Sequence, residues 1–253
     1  MKHNRVLPLL TPFIVFTLFE LFFFNPKIVY VALVFANLLI FFTITRFTKE
    51  SDASKDWWNF LILPALFTTG LAAYSVLFAN NFIVQLLFVF NLVFLYFYLK
   101  IIYYYLIRVK SYKNLSLENI SSYGNFLAFF FVSSVVYGLQ SFLNMPVWPL
   151  MVIMAAVAAL MIHQMVWANM IEEKFALVYV LIGSLVLVEL AWSLSFLPLN
   201  FNAAGLILAI CYYMLTGLVR HHLSDNLKKR TVKLYLSLGL GSILLILLTT
   251  RWM

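Results

Sequence analysis

The sequence predicts an all-α, polytopic integral membrane bundle, and three observations carry that prediction. Of 253 residues, 64% are apolar and 10% are charged, whereas a soluble domain has about 45–50% apolar and about 25% charged residues. So few charges cannot cover a water-soluble surface, which excludes soluble globular, disordered and collagen-like chains. The charge-free runs are also long: Trp57 to Leu99 covers 43 residues and Asn119 to Ile171 covers 53 residues without Asp, Glu, Lys or Arg. A bilayer core of about 30 Å takes about 20 helical residues, so each run holds two spans. Finally, the runs are continuously apolar, where barrel strands would alternate over about 10 residues.

Nine spans follow in order. The first, residues 6–24, comes after the basic start Met-Lys-His-Asn-Arg. It has the look of a leader, but no small-residue cleavage site follows, so it reads as a retained span. Pro8 and Pro12 leave open a re-entrant hairpin for the first two segments. The second span, 28–46, begins after Asn25-Pro26-Lys27 and stops at Arg46. Asn80-Asn81 divides the next run into spans 58–79 and 82–107, and Asn144-Met145-Pro146 divides the longer run into 124–143 and 147–170. These are turn residues at the right midpoints. Span 175–197 runs from the charged Glu172-Glu173-Lys174 to Pro198, span 202–219 ends at Arg220, and span 232–250 follows a basic segment. The reading is a single transmembrane domain over 1–253, built as four hairpins plus a C-terminal span. An inverted repeat is not favoured, because helices one to four and five to eight share a parity; any repeat would be parallel, and no residue-level self-similarity supports it.

Lys and Arg set the orientation. Fifteen of seventeen cations fall on the amino-terminal side and only Lys27 and Arg251 on the other. The positive-inside rule then puts the amino terminus in the cytoplasm and the carboxy terminus outside, in a cell membrane. Residue usage rich in Phe, Leu, Ile, Asn and Lys is compatible with a bacterial inner membrane. The partners implied are the bilayer, with anionic lipid on the cytoplasmic face, and other membrane proteins. The basic residues are scattered in short loops, which argues against nucleic acid. Trp57, Trp58 and Trp167 read as an inner aromatic belt, and Trp148 and Trp252 as an outer one. Asn114-Leu-Ser and Asn119-Ile-Ser match the glycosylation pattern, but they sit in a loop expected to be cytoplasmic and should be unused.

A charge at mid-membrane costs roughly 2.5–3.5 kcal/mol on insertion scales, so its presence needs a reason. Glu189 is the first candidate, with Trp192 and Ser193 on its face at i+3 and i+4. With Gln140, Glu20, Gln85 and Asn91 at similar depth it defines a candidate polar cavity, provided that these helices meet. The competing reading is a carboxyl that hydrogen-bonds two helices together. Near the inner face, His163, Arg220, His221, His222, Lys228, Lys229 and Arg230 are candidates for contact with a phosphate or lipid headgroup. His221 and Asp225 have i, i+4 ligand spacing, but two ligands do not define a metal site. Cys211 is the sole cysteine. No metal and no cofactor are expected. Small residues at four-residue spacing, Gly124/Ala128, Ser134/Gly138, Ala155/Ala159 and Ser237/Gly241, mark expected packing faces.

No motif names a reaction. His-Glu-x-x-His, a rhomboid-like Gly-x-Ser-Gly, a Gly-x-Gly-Asp, paired Asp-rich segments, a mid-span lysine and a Walker loop are all missing from the sequence. Three functions compete. The sequence leans to a scaffold or accessory subunit of a membrane complex, and away from an enzyme. The alternatives are a small-solute or ion carrier using Glu189, and a membrane-embedded lipid-processing enzyme near His163.

Overall fold

The computed structural model describes residues 6–25, 27–51, 57–108, 112, 116–169, 173–223 and 227–250. Every element among them is helical: α1 (Leu7–Glu20, continued by a 3-10 turn over Leu21–Phe23), α2 (Ile28–Glu50), α3 (Trp57–Ser75), α4 (Asn81–Leu106), α5 (Ser116–Leu143), α6 (Val147–Ala168), α7 (Glu173–Leu194), α8 (Phe201–Leu223) and α9 (Lys229–Thr249). Seven of the nine, α2 and α4 to α9, are long and apolar enough to cross a membrane. The 14-residue α1 is shorter, and α3 carries Asn59 and Pro64 within its 19 residues. The chain is therefore a multi-pass, all-α integral membrane protein.

Asparagines close the turns as the sequence suggested. Asn80 caps α4 by accepting from the Phe82 amide at 2.9 Å, which satisfies one of the donors left free at a helix start. Asn200 does the same for Asn202 in α8, and Asn25 accepts from the Lys27 amide in the turn before α2. Asn144 adopts φ 49° directly after α5, a left-handed conformation that asparagine tolerates better than most residues. Three helices outrun their apolar segments. α2 extends past residue 46 to Glu50, α8 past 219 to Leu223, and α5 begins at Ser116 rather than 124. The added turns are polar and suit the helix dipole: Lys49, Arg220, His221 and His222 lie in last turns, and Glu118 in a first turn. Asn119 is thus an exposed helical residue, while Asn114, Asp225, Arg251 and Trp252 lie outside the described residues.

The chain divides into two compact units, Met1–Gly124 and Asn125–Met253, the boundary falling inside α5. In the first, α1 packs on α2 and α4, α2 on α3, and α3 on α4, with a further contact between α2 and α4. Its core is aromatic. Phe67 stacks on Phe94 with centroids 3.7 Å apart, and Phe19 packs against Phe88 at 5.3 Å. Gly124 leaves room for the Phe94 ring.

In the second unit, α6 packs along α7, α7 against α8 and α8 against α9, with a contact between α6 and α8. The α5 segment lies among three of them. Phe129 stacks on Tyr212 of α8 at 4.6 Å, and Tyr137 reaches α7. The neighbour order of α5–α8 therefore repeats that of α1–α4, with α9 added and with an α5–α7 contact besides. The small-residue pairs divide in fate. Ser134 is fully buried against Gly205, where a Cβ would stand 2.8 Å from the Ser134 backbone nitrogen. On α9, by contrast, Gly239 meets Met214, while Ser237 and Gly241 face outward and a Cβ on Gly241 would meet nothing within 4 Å.

This contrast sets a stability test. Gly205→Ala forces two backbones apart and is expected to cost about 1–3 kcal/mol, read as a lower thermal unfolding midpoint in detergent micelles. Gly241→Ala should leave the midpoint where it is; equal shifts for the two would contradict the packing.

Candidate functional site

Several intramembrane polar residues of the first unit make contacts between helices. Gln85 donates to the Glu20 carboxylate at 2.7 Å, joining α4 to the end of α1. Thr68 donates to the Asn91 side-chain oxygen at 3.3 Å, joining α3 to α4. Thr11 and Thr43 join α1 to α2 at 2.8 Å, and Asn37 donates to Thr69 at 3.2 Å between α2 and α3. The pairs α1–α2, α2–α3, α3–α4 and α1–α4 thus each have a hydrogen bond, and Tyr98 adds a second between α4 and α3 by donating to the Phe60 carbonyl. Of the expected cavity residues, Glu20 and Gln85 are brought together, and Asn91 is paired elsewhere, with Thr68.

The second unit is tied in the same way. Asn125, 1% exposed, donates to the fully buried Gln164 between α5 and α6. Tyr137 donates to the Ala191 carbonyl at 3.0 Å, and Gln140 to the Ser195 carbonyl at 3.2 Å, so both fasten α5 to the far end of α7. Tyr212 donates to the Met161 carbonyl of α6. The buried hydrogen bond near His163 is therefore made by its neighbour Gln164, and His163 itself is half-buried. Sequence reasoning singled out neither Asn125 nor Tyr212. Asn125 lies one residue inside the expected start of span 124–143, where a polar residue is not anomalous. Ser121 and Asn125, one turn apart and both buried, were the available signal.

Glu189 is placed differently. The side of α7 that packs inward carries Leu187 and Ala191, both fully buried. Glu189 is two residues from each, a rotation of about 200° at 3.6 residues per turn, so it lies on the opposite side. Its side chain is exposed, as are Trp192 and Ser193. Ser193 donates to the Glu189 backbone carbonyl at 2.8 Å, and no side chain among the described residues bonds the Glu189 carboxylate. Glu189 and Gln140 therefore do not meet: one faces out of the unit, the other binds backbone at the end of α7. Beside Glu189, the rings of Trp192 and of Trp148 from α6 lie with centroids 6.3 Å apart, and Phe196 sits edge-on to Trp192 at 5.4 Å.

At the basic end, His222 packs on Tyr179 of α7 and His221 on Tyr235 of α9, with centroids 6.2 and 5.7 Å apart. The two histidines thus reach different helices. Lys228, Lys229 and Arg230 are exposed at the start of α9, and Arg220 is half-buried on α8. Among the described residues, no three His, Cys, Asp or Glu side chains come together to hold a metal ion.

Apolar helices joined by polar ties, with Glu189 turned outward, are what the described residues of this multi-pass membrane protein present. The chain belongs to the DUF5656 family, described as a protein of unknown function, whose model matches residues 43–249. It matches no curated protein and no solved structure. The family match runs from the second half of α2 to the end of α9, so it takes in Glu189, the aromatic patch and all the ties of the second unit.

The Asn125–Gln164 tie can be checked with a double-mutant cycle. Asn125→Leu and Gln164→Leu each strand a buried polar partner and should destabilise. The double variant should be less costly than the sum, by about 0.6 to 1.7 kcal/mol, the range for such bonds in lipid. Unfolding in mixed micelles measures it, and strict additivity would show that the two side chains are not coupled.

Proposed function

We propose that this protein is a scaffold or accessory subunit of a membrane-protein complex and that α9 is the helix through which it meets its neighbour. The observation that carries this reading is the near-complete exposure of α9: of its 21 residues, only Gly239 is buried. Exposure alone suits lipid equally well. The outward Ser237 and Gly241 favour a protein neighbour, because small residues one turn apart let a second helix approach closely. No Cβ-sized space at Gly241 is used by the chain itself, so the position is free for a partner.

The other readings draw less support. A carrier built on Glu189 needs that carboxylate to line an interior path, whereas its side of α7 lies opposite Leu187 and Ala191, where the helix packs. An enzyme needs reactive groups converging near His163, and the described residues offer there an amide pair, Asn125 and Gln164. In the same proposal the amino terminus is cytoplasmic, as the fifteen-to-two division of cations supports. The exposed Lys228, Lys229 and Arg230 then meet anionic headgroups on that face.

The test is the size of the assembly in native membranes, read by blue-native electrophoresis after mild solubilisation. The wild-type chain should run in a species larger than the single chain. Gly241→Leu should fold normally yet run as the free chain. The reading is overturned if the wild type runs alone, or if the variant stays in an assembly of unchanged size.

A further inference from the structure

We propose that Glu189, Trp192 and Trp148 form an outward-facing site for the ammonium group of a lipid headgroup, of the ethanolamine or choline type. The site stands independently of the role given to α9.

The geometry begins with the two tryptophans. Trp148 is 74% exposed and Trp192 44% exposed. Their planes are inclined by 31° with centroids 6.3 Å apart, so the two exposed rings lie close together. Phe196, 67% exposed, closes one side by presenting a T-shaped contact to Trp192. Aromatic faces carry negative potential and attract organic cations, tryptophan most strongly. An aromatic belt alone would explain rings at a membrane surface, but it does not explain a carboxylate set among them.

Glu189 supplies that carboxylate. It is three residues before Trp192 on the same face of α7, about 4.5 Å along the axis, and about 7.5 Å from the helix end at Leu194. That depth is one turn below the rings, where an unpaired anion is costly. Among the described residues no side chain pairs with it. The Ser193 hydroxyl is bonded to backbone, and the turns at this end of α6 and α7, residues 144–146 and 195–200, contain no Lys or Arg. A bound ammonium would supply the compensating charge. A hard metal ion would require several oxygen ligands, and one carboxylate beside indole rings does not supply them. An alkylammonium can lay its C–H groups on the rings while its charge meets Glu189.

The surface below the site identifies the source of that ammonium as a lipid. Leu181, Ile182 and Leu185 continue along α7 toward the membrane interior, each close to 60% exposed. They form an apolar strip against which acyl chains lie when the headgroup occupies the aromatic patch.

Competitive lipid retention tests the site on the full chain. The protein in maltoside micelles is given equal amounts of phosphatidylethanolamine and phosphatidylglycerol with matched acyl chains, and bound lipid is counted by native mass spectrometry. The wild type should retain the ammonium lipid in preference to the anionic one by about fivefold, in keeping with one partly desolvated cation–aromatic contact. Glu189→Gln keeps shape and hydrogen-bonding capacity but removes the charge, and should bring the ratio close to one. Glu189→Asp should restore part of it. Trp148→Leu changes a ring at the surface, so it tests the site even if the Glu189 variants insert poorly, and should also reduce the preference. Equal retention of both lipids by the wild type overturns the proposal, as does a preference that survives both Glu189→Gln and Trp148→Leu.

Discussion

Lipid tails are as apolar as leucine, so a helix in a bilayer gains no hydrophobic free energy by leaving lipid for another helix. Association must come from close packing and from polar groups that have no better partner in hydrocarbon. The first unit follows this constraint in a regular way. Thr11–Thr43, Asn37–Thr69, Thr68–Asn91 and Gln85–Glu20 tie α1 to α2, α2 to α3, α3 to α4 and α4 back to α1, and together they close a ring. Each such bond contributes on the order of 0.6 kcal/mol. Their sum is modest, and their larger effect is to select register, since a slip of one residue would strand every donor in lipid.

The second unit meets the same constraint with backbone partners. Tyr137, Gln140 and Tyr212 all donate to carbonyls of neighbouring helices. Helical carbonyls already accept one bond and offer a second lone pair, so a long side chain can fasten a helix without a matched polar residue opposite. Small residues do the rest. Gly205 brings α8 against the α5 backbone, and Gly239 receives Met214. The outcome is an asymmetric unit in which α5, α6 and α8 hold most of the buried side chains, while α7 and α9 keep much of their surface outside.

Glu20 and Glu189 show how the same residue type acquires different chemistry from position on a helix. Both are carboxylates within apolar stretches. Glu20 faces α4 and receives Gln85, which makes it a structural tie. Glu189 faces away from the helices that α7 packs on and stands beside exposed tryptophans. A register shift of two residues in α7 would exchange these roles, burying the charge in place of Leu187 or Ala191. The family to which the chain belongs carries no assigned function, so these outward groups are where a function can be sought.

Composition and pattern alone determined the class, the helical nature of each segment and most of the boundaries. A bilayer imposes a length and an apolarity that a linear count detects, and Asn80, Asn144 and their neighbours mark turns by local conformational preference. The sequence also named Glu189, Glu20, Gln85, Asn91 and Gln140 as residues needing partners, because a polar group in hydrocarbon is anomalous wherever it points. What it could not determine was direction. With apolar residues on every side of α7 or α9, periodicity does not separate the lipid face from the packed face. Only tertiary structure decided that Glu20 meets Gln85, that Gln164 meets Asn125, that Ser134 packs while Ser237 and Gly241 do not, and that Glu189 looks outward. The physical reason is that lipid and protein interior are equally apolar, so the pattern that orients a helix in water is absent from this chain.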